Sequence, residues 1–197
     1  MGILVRGNNL DGAEARRQFD NAIRYLKNSA LAEDIITDLL TIQELLTIYV
    51  GTDSNPKRIN VYAHPPRESR MSAGTIYWDP SVEVGVRDKV KNYKGGRLRP
   101  DVPWVQKHGT WTCCGKRFGT ERDQEGVISA PMCLMHEMGH AVQFLSDKEG
   151  YRAIKEGSGV RPDLEQLNTE AIEQPIILEL RAKGMAEGIR WDYLHTR

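Results

Sequence analysis

The chain has 197 residues, of which 40% are hydrophobic and 27% charged, and its 27 basic and 27 acidic residues leave no net charge. This composition is typical of one folded domain with a sizeable core, and the balanced charge excludes a strongly basic nucleic-acid-binding or membrane-surface protein. No apolar run approaches the roughly 20 residues that cross a bilayer. Residues 1–12 lack the basic-then-apolar layout of a secretory signal, so we expect synthesis in the cytoplasm.

The first eighty residues predict helices followed by strands. Residues 3–6 are expected to form a short edge strand, and a helix is predicted from the turn at residues 8–12 up to Lys27 because apolar residues recur at helical spacing. A second helix is predicted over residues 31–44, and strands are predicted over residues 45–50, 59–63 and 74–78. Two helices and then strands, ahead of a further long helix, predict an α+β domain.

Residues 87–126 differ in composition from the rest of the chain. They contain paired glycines, prolines and few aliphatic residues, together with many basic ones, including Lys89, Lys91, Lys94, Arg97, Arg99, Lys107, Lys116 and Arg117. The segment is too polar for a core and too long for a simple connection. We predict a basic loop insertion in a single domain that spans residues 1–197. Two interpretations stay open: a rim that grips substrate through Trp104 and Trp111, or a solvated loop.

Residues 135–141 carry the pattern on which the functional prediction depends. His136 and His140 are four residues apart, so on a helix both rings leave the same face one turn apart and can bind one metal ion. Glu137 follows the first histidine directly and can reach a water on that metal without being a ligand. The alternative is a pair of hydrogen-bonded core histidines, which is disfavoured because this polar cluster is costly to bury without a metal.

The surroundings of this pattern predict a buried helix. Ser129 supplies a hydroxyl cap and Pro131 is tolerated in the first turn, and the residues that follow are largely apolar. Gly139 in the middle of the helix costs roughly 1 kcal/mol relative to alanine. We interpret it as space for a close neighbour beside the metal.

A catalytic zinc site needs a third protein ligand and an open fourth position. After a predicted loop at residues 146–162, the chain offers three candidate ligands, Glu165, Glu170 and Glu173. Pro175 disfavours helix at the preceding residue and removes a backbone donor. This predicts a short helix that carries Glu165 and a new or kinked helix from about residue 175 to 183. Composition and spacing do not choose among the three glutamates.

Four short motifs follow one another in the second half of the chain: His136-Glu137-x-x-His140, Glu165-x-x-Asn168, Glu173-Gln174 and Arg190-x-x-Tyr193. Their order resembles that of bacterial effector zinc metallopeptidases. These include type III effector proteases and peptidase domains of type VI secretion spike proteins, and clostridial neurotoxin light chains are more distantly similar. Gln174 departs from the Glu-Asn pair of those families, and the 87–126 insertion has no counterpart in them.

The resemblance implies a zincin-like fold and one Zn²⁺ per chain, held by His136, His140 and Glu165. Glu137 would take a proton from the attacking water and pass it to the leaving amine. The resemblance further implies that Tyr193 donates to the oxyanion, with Arg190 as its positioning or charge-neutralising partner. The alternative for the tail is a segment that packs through its aromatic residues.

The implied function is a zinc endopeptidase that cleaves a protein substrate, acting as an effector or toxin secreted or delivered into a target cell by a specialised secretion system. Secretion machinery or an immunity protein would then be its partners, with no nucleic acid and no membrane span. Two other functions fit the residues: a housekeeping or processing zinc peptidase of the producing cell, and a zinc-stabilised binding module without turnover. Adjacent secretion or immunity genes would favour the effector.

Overall fold

The computed structural model describes residues 2–55, 58–91, 105–107, 110–113, 116–157 and 164–190, and for residues 87–125 it describes backbone pairing alone. Within these ranges helices combine with one mixed and one antiparallel sheet, which confirms the predicted α+β class. No helix in these ranges is both long enough and apolar enough to cross a membrane.

The first sheet consists of β1 (Gly2–Gly7), β2 (Leu45–Val50), β3 (Val61–Ala63) and β4 (Ser72–Trp78), in the order β1-β2-β4-β3. Strands β1, β2 and β4 are parallel, and β3 pairs antiparallel with β4. The predicted edge position of β1 is therefore confirmed, and β3 forms the opposite edge. Strand β3 begins later than predicted because Asn60 has a φ of 48°, in the left-handed region that a strand does not use.

Two helices connect β1 to β2: α1 (Gly12–Leu26) and α2 (Ala30–Thr41). Asp11 and Ser29 cap them, each side chain accepting a hydrogen bond from a backbone N–H of the first turn. Helix α2 ends at Thr41 rather than near residue 44, because the ψ of Ile42 is extended at 152°. The buried side chains of α1 lie at the predicted helical spacing: Ala15, Phe19, Ala22 and Leu26.

The second sheet places strands in parts of the segment predicted as a loop, at residues 87–91, 105–107, 110–113 and 116–126, and the rest of residues 87–126 lies outside the described residues. It is antiparallel with the order β5-β8-β7-β6, made of β5 (Val84–Lys91), β6 (Val105–Lys107), β7 (Thr110–Cys113) and β8 (Lys116–Ile128). The register pairs Arg87 with Glu125 and Lys91 with Glu121, so the pairing joins segments about thirty residues or more apart, and neither segment alone reveals it. Trp104 lies outside the described residues.

Helix α3 (Ala130–Ser146) is the central element of the described structure. It begins after Ser129 with Pro131 in the first turn, as predicted, and packs against α1, β3 and β4. The predicted hydroxyl cap is wrong, because the Ser129 hydroxyl makes no cap hydrogen bond and donates to the Glu187 carboxylate instead. The indole Nε1 of Trp78 donates to the carbonyl oxygen of Ala130 at 2.8 Å, which fixes the start of α3 to the end of β4. Twelve of its seventeen residues are buried, so α3 holds its polar side chains inside the protein.

The segment after α3 contains a helix that the sequence did not predict. Residues 146–162 were expected to form a loop, but α4 (Lys148–Lys155) lies within them, capped by Asp147, whose carboxylate accepts from the N–H of Gly150 at 2.9 Å. Then come α5 (Leu164–Asn168), a π-helical turn and α6 (Gln174–Ala182). The predicted short helix that carries Glu165 and a helix from about residue 175 are confirmed, but Gln174, which Pro175 was expected to keep out of a helix, is itself helical with φ −60° and ψ −48°.

Candidate metal centre

His136 and His140 project from one face of α3. Both are buried, with 6% and 3% of their surfaces exposed, and their ring centroids are 4.9 Å apart with the rings nearly perpendicular. The Nε2 atoms of both rings point to the same carboxylate oxygen, Oε2 of Glu165, at 3.2 Å from His136 and 2.8 Å from His140. The predicted one-turn pairing of the two imidazoles is therefore present in the structure.

These three side chains form a group that could hold a metal ion. Two atoms that each lie about 2.1 Å from a tetrahedral zinc ion are about 3.4 Å apart. The separations of 3.2 and 2.8 Å between Glu165 and the histidines are close to that value. Of the three candidate glutamates, Glu165 is the one that the fold brings to both histidines. Glu170 is exposed and accepts a hydrogen bond from Gln166 instead.

Glu173 lies on the opposite side of the His136 ring. Its Oε2 is 3.0 Å from His136 Nδ1, and the carboxylate is fully buried. Arg190 forms a two-point ion pair with this carboxylate: Nε donates to Oε1 at 2.7 Å and Nη2 donates to Oε2. Arg190 Nη2 also lies 3.1 Å from His136 Nδ1. A carboxylate can only accept, so the contact with Glu173 requires the imidazole proton on Nδ1, and with the proton there the approach of Arg190 to Nδ1 is not a hydrogen bond. Nε2 is then the unprotonated nitrogen and faces Glu165.

The π-helical turn explains how Glu165 and Glu173 reach the same histidine. Eight residues of α-helix rotate about 80° beyond two full turns, which would turn the two carboxylates away from each other. The turn at Thr169–Glu173 adds one residue to a turn, which turns the chain back by about 100° and leaves the two residues about 20° apart around the helix. Glu165 and Glu173 therefore face α3 together, one on each side of the His136 ring.

His140 is supported by a neutral side chain from its own helix. Its Nδ1 lies 2.9 Å from Oε1 of Gln143, and the Gln143 Nε2 donates to the carbonyl oxygen of Leu164 at 3.1 Å. Gln143 thus links the second histidine to the start of α5, next to Glu165. The sequence interpretation did not identify Gln143. Its position three residues after His140, on the same helical face, was the available signal.

Gly139 makes room for Asn168. A Cβ at Gly139 would lie 2.0 Å from Asn168 Oδ1, so no larger residue fits there without movement. The Asn168 Nδ2 donates to the carbonyl oxygen of His136 at 2.7 Å, and Asn168 is fully buried. The close neighbour predicted beside Gly139 is therefore the Asn168 side chain, which fastens α5 to the turn of α3 that carries the two histidines.

Glu137 is buried but stands apart from the donor group. Burial raises the pKa of its carboxyl, while His136, His140 and a hydrogen bond from the backbone N–H of Tyr62 oppose that rise. Tyr62 belongs to the edge strand β3. The carboxylate therefore lies between the metal-binding face of α3 and the open edge of the first sheet.

The electrostatics of the centre favour a divalent cation. The carboxylates of Glu137, Glu165 and Glu173 are accompanied by two cations, Arg190 at Glu173 and Lys155 at Glu165, so that with neutral imidazoles the set carries one excess negative charge. Burial alone would raise the pKa of Glu165, yet its hydrogen bonds to the histidines hold that pKa far below its usual range. Burial lowers the pKa of His136, but the carboxylates around it raise the value to about 9. A bound dication would replace this proton and offset the excess charge.

Arg190 lies beside Glu173 and His136, and its predicted partnership with Tyr193 involves a residue outside the described ranges. Its guanidinium is buried with 9% of the side chain exposed, and it contacts Glu173 and the Nδ1 side of His136, away from the donor atoms that face Glu165. Gln174, the residue that departs from the family pattern, donates its Nε2 to the carbonyl oxygen of Arg190 at 2.8 Å. Tyr193 and Trp191 lie outside the described residues, and the role predicted for Tyr193 stays a prediction.

No protein-family model matches the chain, and neither a curated protein nor a solved structure is significantly similar to it. The resemblance to effector metallopeptidases therefore rests on the residues quoted above.

Proposed function

We propose that this protein is a zinc-dependent endopeptidase with a zincin-like active site on α3. The observation that carries the proposal is the convergence of His136 Nε2, His140 Nε2 and Glu165 Oε2, with Glu137 buried on the same helix. Two imidazoles and one carboxylate are a donor set of catalytic rather than structural zinc, which leaves a position for water and substrate.

The residues around the three donor side chains also fit a zinc ion. Both histidines have an acceptor at Nδ1, which fixes the tautomer and turns Nε2 towards the metal position. Oxygen-rich sites for Mg²⁺ or Ca²⁺ use few imidazoles, whereas two imidazoles favour zinc among the abundant biological cations. One ion per chain is expected, since the described residues contain this one group of donors.

When bound, zinc would polarise a peptide carbonyl and acidify water. The chain supplies the proton transfer: Glu137 accepts the proton of the attacking water and delivers it to the leaving amine. Its burial beside the donors favours this task, because a carboxyl whose pKa is raised is a better base at neutral pH. His136, His140 and Glu165 hold the ion, and Arg190 acts on His136 through Glu173.

The cellular role follows from the sequence resemblance alone. We propose an effector or toxin that is delivered into a target cell and cleaves a protein there, with secretion machinery or an immunity protein as its partners. The organisation of the described site is equally suited to a processing peptidase of the producing cell.

The test is a comparison of metal content and proteolysis in the wild type and four variants: Glu137→Ala, Glu165→Gln, Glu170→Gln and His140→Ala. The wild type is expected to bind about one zinc ion and to cleave protein substrates in a cell lysate. Glu137→Ala should keep the zinc and lose cleavage by several orders of magnitude, since the base and its proton shuttle are removed together. Glu165→Gln should lose most of its zinc, with Glu170→Gln as the matched control that keeps it.

Two results would contradict the proposal. Full zinc content in both His140→Ala and Glu165→Gln would exclude the donor group as the metal site. A wild type that binds zinc but cleaves nothing would leave the zinc-stabilised binding module as the function.

A further inference from the structure

The two oxygens of the Glu165 carboxylate meet different partners. Oε2 faces the Nε2 atoms of His136 and His140, as described above. Oε1 lies 3.4 Å from the ammonium Nζ of Lys155, the last residue of α4. One oxygen of the proposed ligand thus points to the metal-binding side chains and the other to a cation.

Lys155 is held in this position by the element that carries it. Its Nζ lies 5.9 Å from the centroid of the Tyr151 ring, within range of a cation–π contact. Tyr151 is buried and packs edge-to-face on Phe144, with ring centroids 5.7 Å apart. Because Phe144 is one helical turn beyond His140 on α3, the position of Lys155 is tied to the helix that presents the histidines.

We propose that Lys155 is a positioning residue that restricts Glu165 to a single ligand oxygen. The inference rests on the proposed function, since it concerns how Glu165 meets the metal. A carboxylate can offer a metal one oxygen or both. The ammonium group of Lys155 occupies Oε1 and turns Oε2 towards the histidines, which keeps the remaining coordination position open for water and substrate.

If Lys155 has this role, its removal changes metal affinity in the opposite direction from the removal of an ordinary structural contact. Losing a structural contact would weaken metal binding. Losing Lys155 instead removes the ammonium group that competes with the metal for Oε1, and it removes a positive charge from the neighbourhood of the ion. Both changes tighten metal binding. Coordination by Oε1 also fills the coordination position that was open. The effect on affinity is modest, because 39% of the Lys155 side chain is exposed and solvent screens its charge.

The chain contains a well-matched control at the other end of the same helix. Lys148 begins α4 and pairs with Glu44 at 2.7 Å. The side chains of this pair are 36% and 23% exposed, against 39% and 25% for Lys155 and Glu165. Lys148→Met therefore removes the same charge from the same helix without touching the donor group.

The experiment loads the wild type, Lys155→Met, Lys155→Arg and Lys148→Met with Co²⁺ in place of zinc and records their visible d–d spectra. Four-coordinate cobalt absorbs much more strongly than five- or six-coordinate cobalt. Lys155→Met is expected to show weaker bands and, in chelator competition, zinc affinity up to about fivefold tighter than wild type. Lys155→Arg, which restores the cation, and Lys148→Met should both resemble the wild type.

An unchanged cobalt spectrum in Lys155→Met, weaker zinc binding in that variant, or the same spectral change in Lys148→Met would overturn the role of Lys155 and leave the proposed function intact. Absence of d–d bands in the wild type would overturn the metal centre itself. The two failures are therefore distinguishable.

Discussion

The two histidines of the centre are supported in different ways. The Nδ1 of His136 faces Glu173, a fully buried carboxylate that is paired with Arg190 from beyond α6. The Nδ1 of His140 faces Gln143, a neutral amide on the same helix. One support is charged and assembled from distant segments, and the other is uncharged and local.

This difference indicates that removing the support of His136 lowers the stability of the protein more than removing the support of His140. A buried ion pair is costly to create, and removing one partner leaves the other charge without compensation. An amide that loses its partner can be hydrated or can rotate at smaller cost. The fold therefore depends on the Glu173–Arg190 pair, whereas Gln143 mainly orients a ring.

The largest expected effect tests this dependence directly. Glu173→Ala leaves the Arg190 guanidinium buried without its carboxylate and should lower the free energy of unfolding by about 3–5 kcal/mol. Urea denaturation of the metal-free protein measures this without a contribution from metal binding. Gln143→Ala, measured in the same way, should cost no more than about 1–2 kcal/mol. Equal losses in the two variants would contradict the comparison.

Metal affinity should follow the same order with smaller differences. Glu173→Gln keeps an acceptor for His136 Nδ1 but removes the charge, and we expect zinc affinity about 10–100-fold weaker. Gln143→Ala should weaken zinc affinity by less than about tenfold, because a neutral acceptor adds less basicity to the imidazole. Competition with a zinc chelator gives both values. A greater loss in Gln143→Ala would show that the local support matters more.

The smallest effect concerns the contact that fastens α5 to α3. Gly139→Ala gains about 1 kcal/mol of helix propensity, but its Cβ must displace Asn168, which costs about 1–3 kcal/mol. We expect a net loss of stability of about 1 kcal/mol in thermal or urea unfolding. Gly12→Ala is the control, since a Cβ at Gly12 meets nothing within 4 Å. Stabilisation in both variants would show that Asn168 moves at no cost.

Local patterns predicted much of the fold. The helical spacing in α1, the strands β2 and β4 and the helix from about residue 175 are confirmed because each depends on residues within one short segment. The sheet of residues 84–128 and the helix α4 were missed. The sheet depends on pairing between strands, and the short helix α4 interrupts a glycine-containing segment that the sequence interpretation assigned to a loop.

For the centre itself, the sequence determined what one helix can present. The spacing of His136 and His140 places both rings on one face, and Glu137 follows in the next position, whatever the rest of the chain does. Only the tertiary structure decided that Glu165 completes the donor group and that Glu173 supports His136. That choice depends on the rotation added by the π-helical turn and on the packing of α5 against α3 through Asn168. Spacing within one helix follows from its period, whereas the meeting of two helices depends on their packing, which no short stretch of sequence encodes.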